Sequence, residues 1–334
     1  MYLTGLQLRH SWTHLTVTAC LGILFAAVAH TYLWRHPIPK PAAISIYVAF
    51  TLLLGLALAP GFLTSTNAPR DSRTRPNTLL ALICVWCFPY LVYAAGTGDF
   101  KWIALLKLLA IAVPLLATYA LLPVKDAHAF SPQDAFVAVL LIAWVLSGQL
   151  RGIWNVPTNL DFMSRLYLIT VASWCWVFVR VVPELGYRFS FSGEVVRQAS
   201  INFVLFALIA VPSSLALHFT KWNPRWPGTV YFLLNYLEIF LFIALLEELF
   251  FRGFLQTLLS KTLGSWVAGQ AIVSCLFGLF HILHAPFPNW RYVALASVAG
   301  WFYGSAFRKS GSIMASSLMH AAVDTVWRTW LSAH

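Results

Sequence analysis

The stretch Phe242-Ile-Ala-Leu-Leu-Glu247-Glu248-Leu-Phe-Phe-Arg252-Gly253 sets two adjacent acids and one arginine into a run that is otherwise apolar. The run begins near residue 229, so it is about as long as the 20-residue helix that crosses bilayer hydrocarbon. An ionisable side chain inside a membrane costs about 2.5–3.5 kcal/mol on insertion scales, and several together point to a functional site. On an α-helix Glu248 and Arg252 stand at i and i+4, share a face and can pair. Glu247 is turned about 100° from Glu248 and can point into a cavity between helices.

The rest of the chain supports the membrane reading. Of 334 residues, 60% are hydrophobic and 10% charged, against about 25% charged in a soluble domain. Apolar runs recur at 12–33, 43–62, 78–95, 101–123, 134–150, 164–182, 200–219, 229–250, 266–284, 292–307 and 312–331. Runs this long without alternation cross lipid only as helices, because each backbone group must be satisfied within its own segment. The expected fold is an all-α, polytopic transmembrane helical bundle of roughly 10–11 spans. The segment 183–198 reads as a link followed by an interfacial helix.

The formal charge of +11 comes from 22 Lys and Arg against 11 Asp and Glu. The bases sit mostly in links such as 35–41, 69–76 and 222–228, where they meet headgroups and set topology. No basic stripe alternates with exposed aromatics, so no nucleic-acid partner is expected. The partners expected are the lipid bilayer and a membrane-anchored peptide or protein substrate. Five cysteines, all in apolar runs, do not form a disulfide framework.

Two histidine signals follow the double-Glu helix. Phe277-Gly-Leu-Phe-His281 ends an apolar helix, with His284 on a similar face. His320-Ala-Ala-Val-Asp324 places its two ionisable groups on one face of the last helix. Together with Glu247, these supply what water activation needs: a carboxylate base, an imidazole to orient water, and polar groups facing an oxyanion. They also supply two His and a carboxylate, the donor types of a metal site. No His-Glu-x-x-His segment occurs, and the residues favour metal-free glutamate chemistry. No cofactor is expected; a divalent metal such as zinc, if bound, would draw its ligands from Glu247, His281 and His320.

In order, Glu247-Glu248-x-x-x-Arg252-Gly, Phe277-x-x-x-His281 and His320-x-x-x-Asp324 resemble the three motifs of the CPBP family. That family comprises the CAAX prenyl proteases and bacteriocin-processing enzymes, also called Abi. The run Gly300-Trp-Phe-Tyr-Gly-Ser-Ala-Phe-Arg-Lys-Ser-Gly-Ser-Ile is similar to the family's approach to its final helix. The resemblance divides the chain into additional N-terminal transmembrane helices, 1–199, and a CPBP-like intramembrane protease core, 200–334.

The resemblance implies a glutamic intramembrane endopeptidase with catalytic residues Glu247, Glu248, Arg252, His281, His320 and Asp324. Glu247 would activate water, which His281 would hold and polarise. Glu248 would support the site electrostatically, and Arg252 would counter the paired carboxylates. His320 and Asp324 would line the oxyanion side. Asp324 stands where the family often has Asn; an ionised Asp cannot donate to an oxyanion, so the alternatives are that Asp324 orients His320 or is itself protonated. Eukaryotic members trim prenylated C-terminal tripeptides. Short loops here suggest a multi-pass protein of a bacterial inner membrane, cutting a C-terminal sorting tag or a leader. The competing readings are a non-catalytic membrane scaffold or immunity protein, and a proton-coupled transporter.

Overall fold

The computed structural model describes residues 11–33, 38–62 and 74–333. Residues 35–37 of the link at 35–41 and 69–73 of the link at 69–76 lie outside the described residues. Each of the eleven apolar runs forms a helix: α1 (Ser11–Leu33), α2 (Lys40–Leu58), α3 (Pro76–Thr97), α4 (Trp102–Leu121), α5 (Pro132–Leu146), α6 (Phe162–Val179), α7 (Gly193–Ala216), α8 (Thr229–Thr262), α9 (Trp266–Leu279), α10 (Trp290–Ser310) and α11 (Ile313–Trp330). Among the described residues seven helices, α1–α4 and α6–α8, are long and apolar enough to cross a membrane. α5 and α9 are apolar but shorter. This is a multi-pass integral membrane protein. The only β-structure described is a two-stranded antiparallel pair, β1 (Thr220–Trp222) with β2 (Leu331–Ala333).

Helix ends follow local chemistry. Ser131 and Asp134 cap α5 reciprocally, side chain to backbone in both directions, which satisfies amide donors that a helix start leaves open. Ser192, Ser265, Asn289 and Ser312 cap α7, α9, α10 and α11 with their side chains. The helix expected to lie at the interface over part of 183–198 is not separate. From the Ser192 cap the backbone runs unbroken to Ala216, so its residues form the first turns of α7. Only one proline, Pro212, falls inside that helix, close to its end.

The chain forms two compact units, residues 1–127 with 131–181, and residues 128–130 with 182–334. In the first, His14 Nε2 lies 2.9 Å from the Gly55 carbonyl and Trp174 donates to Leu56 O at 2.8 Å, tying α1 and α6 to α2. Its buried charge is paired: Arg180 Nε and Nη2 each reach Asp134 at 3.0 Å, and Tyr119 donates to the same carboxylate at 2.9 Å. In the second unit α10 packs against α7, α9 and α11, and α8 packs against α9, α10 and α11.

Candidate active site

The double-Glu segment lies in an unusual part of α8. The single turn Leu245–Glu248 is α-helical, flanked by π-helical windings at Phe240–Ala244 and Leu249–Gln256. A π-winding widens the helix and re-aims the residues beyond it, and such windings concentrate at functional sites. Here it turns Arg252 and Gln256 into the contact with α10. Arg252 Nη2 donates to Gly300 O at 3.0 Å, and Gln256 Nε2 donates to Gly304 O at 3.1 Å. Donors four residues apart on one helix thus meet carbonyls four residues apart on the next. Glycine lets α10 come close here, since a Cβ on Gly304 would stand 2.6 Å from Gln256 Oε1 and 2.8 Å from Gln270 Cγ, and one on Gly300 3.1 Å from Ser274 Cα and 3.3 Å from Arg252 Nη2.

Glu248 and Arg252 pair as their spacing predicts, with Arg252 Nη1 3.2 Å from Glu248 Oε1 and neither side chain accessible to solvent. His320 of α11 joins the same oxygen, its Nδ1 2.9 Å from Glu248 Oε1. Glu248 therefore accepts from a guanidinium and an imidazole at once, which offsets the cost of burying its charge. The Arg252 guanidinium carbon also sits 4.6 Å from the centre of the Phe277 ring and 5.2 Å from that of Tyr303. Tyr303 in turn stacks on His320, with ring centres 4.6 Å apart and 13° between planes. The Phe277 ring meets His320 near-perpendicularly, with ring centres 5.8 Å apart. His320 is thus fixed by a hydrogen bond and two rings.

With Nδ1 donating to Glu248, His320 turns Nε2 toward the two remaining acids. Glu247 Oε2 lies 4.0 Å from it and Asp324 Oδ2 3.8 Å. Those two side chains retain 27% and 34% of their exposure, against 0% for Glu248. The adjacent glutamates therefore differ in environment, one fully sealed and the other partly exposed with its Oε2 buried.

His281 lies just past the end of α9. Its Nδ1 is 2.8 Å from the Phe277 carbonyl, four residues back, so this nitrogen donates and Nε2 is left as the acceptor. Phe277 touches both histidines, with its ring 4.9 Å from His281. Tyr292 of α10 packs on His281 at 4.7 Å and on the exposed His284 at 5.0 Å. The structure thus brings Glu247, Glu248, Arg252, His320 and Asp324 into one cluster, with His281 joined to it through Phe277. Tyr303 and Tyr292 were not singled out by the sequence, because an aromatic in an apolar helix carries no mark of the ring it faces.

Among the described residues no group of three or more His, Cys, Asp or Glu side chains is arranged to hold a metal ion. Glu247, His281 and His320 therefore do not form a ready ligand set, and one His320 nitrogen is already committed to Glu248.

Residues 227–326, which contain this whole cluster, match a family model described as Type II CAAX prenyl endopeptidase Rce1-like. The segment is Rce1-like. The match spans under a third of the chain and agrees with the CPBP resemblance of the three motifs. That family consists of endopeptidases, so the Rce1-like segment is of hydrolase type, and it lies in a membrane-embedded unit as a CAAX-type intramembrane protease does. No curated protein and no solved structure matches the chain.

Proposed function

We propose that the protein is an intramembrane endopeptidase that hydrolyses a peptide bond in a membrane-anchored protein through water activated by Glu247. The observation that carries this reading is the contrast between the two glutamates. Glu248 is closed off by Arg252 and His320, whereas the Glu247 side chain stays partly exposed and turns a buried Oε2 toward the same imidazole. A sealed, neutralised carboxylate next to a partly exposed one is a way to hold a base in a dry site without stacking two bare charges.

In this mechanism Glu247 takes a proton from a water that His281 Nε2 helps to hold, and the hydroxide attacks the scissile carbonyl carbon. The carbonyl oxygen becomes an oxyanion on the side of His320 Nε2, which carries the proton that meets it. Asp324 orients and charges His320, since its own carboxylate cannot donate. Glu247 then returns its proton to the amide nitrogen as the C–N bond breaks, leaving a carboxylic acid and an amine. Glu248 and Arg252 act through His320: they fix its ring and its charge. A C-terminal sorting tag or a leader in a bacterial inner membrane is the kind of substrate proposed.

The test compares membrane proteomes of cells expressing wild type or Glu247→Ala at matched levels, with new protein termini read by mass spectrometry. Termini near hydrophobic segments that appear only with wild type are expected, and they would name the substrates. Identical termini with a folded, inserted variant would sink the proposal in favour of a non-catalytic partner protein.

A further inference from the structure

Beyond the cluster, α8 goes on with polar residues at four-residue steps: Glu248, Arg252, Gln256 and Ser260, each at most 2% exposed. Each holds a buried side-chain atom that no partner meets among the described residues: Glu248 Oε2, Arg252 Nε, Gln256 Oε1 and Ser260 Oγ. Gln270 Oε1 of α9, equally buried, is a fifth. Turning the two amides over does not help. Gln256 Nε2 donates to Gly304 O at 3.1 Å and Gln270 Nε2 to Trp301 O at 2.9 Å. Those carbonyls only accept, so each Oε1 keeps its place and needs a donor of its own. A buried polar atom left dry bears its full desolvation penalty, and here five such atoms lie on two neighbouring helices.

The glycines at the helix contacts show that these atoms form one row. A Cβ on Gly300 would meet Ser274 and Arg252, one on Gly304 would meet Gln256 and Gln270, and one on Gly269 would strike the Ser260 hydroxyl. Gly300 and Gly304 stand one turn apart on α10, so their levels are about 6 Å apart. Two hydrogen bonds of about 2.8 Å through one water molecule span such a gap. The row ends beside Lys261, which pairs at 2.8 Å with Glu184, a side chain 64% exposed. Charges placed there belong to the aqueous or headgroup layer.

Whatever fills this row must donate to a carboxylate and two amide oxygens and also accept from Arg252 Nε. A metal cation cannot accept and a simple anion cannot donate; water does both, and buried water characteristically takes two to four polar partners. We infer that α8, α9 and α10 hold a file of internal water, open to bulk exchange, from the Lys261 end of α8 to the Arg252–Glu248 pair. The file stands apart from the proteolytic reading. Its use rests on that reading: it brings water to the proposed catalytic cluster through the protein rather than past the substrate.

The test uses the full chain in phosphatidylcholine nanodiscs and X-ray radiolysis, in which water turned to hydroxyl radical oxidises the side chains it touches. Oxidation is read by mass spectrometry at Phe277 and Tyr303, whose ring centres lie 4.6 and 5.2 Å from the Arg252 guanidinium. Phe50, 2% exposed and stacked on Phe25 in the other unit, is the dry reference. Wild type should oxidise Phe277 and Tyr303 several-fold above Phe50, and should incorporate heavy oxygen after a brief switch to heavy-oxygen water. Ser260→Ala combined with Gln270→Met, which leaves the Gln256–Gly304 bond in place, should bring both close to the Phe50 level. Ser260→Ala alone, which removes one hydroxyl, should give an intermediate level. Wild-type oxidation at the Phe50 level would overturn the file. So would equal oxidation in wild type and both variants, because water would then arrive from the Glu247 side. Products that keep ordinary oxygen after the switch would overturn the open route. None of these readings needs cleavage, so the proteolytic proposal survives each of them. The folded double variant should also produce the wild-type substrate termini more slowly, and an equal yield would overturn the supply role. A wild type that produces no termini would sink the proteolytic reading and leave the file standing.

Discussion

In the bundle interior Arg252 and His320 both donate to one oxygen of Glu248. Removing one partner of a buried pair leaves the other uncompensated, at a cost of about 3–5 kcal/mol. Arg252→Met should therefore lower the melting temperature in detergent clearly, and adding Glu248→Gln to it should restore part of the loss. The double variant would remain inactive in peptide cleavage, because His320 would lose the anionic acceptor that holds its ring and its proton. A single variant that melts with wild type would show that the pair contributes nothing to stability. At this scale the sequence was informative where chemistry is local. The i, i+4 spacing of Glu248 with Arg252, and of His320 with Asp324, put each pair within reach of the other. The bond between His320 and Glu248 spans 72 positions in the chain, and the Tyr303 stack depends on how α10 and α11 pack. No spacing rule carries either of these.

The joint between α8 and α10 shows what lies between residue and bundle. Helix existence was legible throughout, because each apolar run was long enough to demand a helix. Two features were not. The π-windings on either side of Leu245–Glu248 have no residue signature in the run, and the early start of α7 depends on one serine cap rather than on hydropathy. The windings matter because Arg252 and Gln256 must both reach carbonyls of α10 across glycines. Small residues at such a contact allow two backbones to approach closely inside a membrane. Gly304→Val would drive a side chain into Gln256 Oε1 and Gln270 Cγ, which a Cβ alone would already meet at 2.6 and 2.8 Å. Overpacking of this kind costs about 1–3 kcal/mol. The variant should melt lower and lose cleavage activity as Gln256 is displaced and the α8–α10 joint opens, whereas Gly311→Asn, at a left-handed helix end with open space around it, should stay close to wild type in both. Equal activity in Gly304→Val and wild type would mean that the joint does not position the site.

For the molecule as a whole, the outward surface carries the membrane argument. Ile44, Leu80, Val139 and Leu208 are each at least 60% exposed on different helices, a pattern that a soluble chain avoids because contiguous apolar surface drives association. In lipid the same surface has its natural solvent, and the basic links supply contact with headgroups. The cysteines turn this into a measurement. All five are free; Cys20, Cys84 and Cys275 sit on exposed faces of α1, α3 and α9, while Cys87 and Cys175 are buried. A thiol reacts with maleimide as its thiolate, which forms in water and not in hydrocarbon. Exposed cysteines on lipid-facing surface should therefore resist a membrane-impermeant maleimide in sealed vesicles as well as the buried ones do. Asn223→Cys, placed in the exposed link that follows β1, should be labelled from whichever side faces it, and unfolding in sodium dodecyl sulfate should release all five native thiols. Labelling of Cys84 or Cys275 at the rate of the Asn223→Cys control would place that helix face in water. That outcome would remove the helix from the set of lipid-facing spans, and for Cys275 it would open a water path along α9, the helix that ends beside His281.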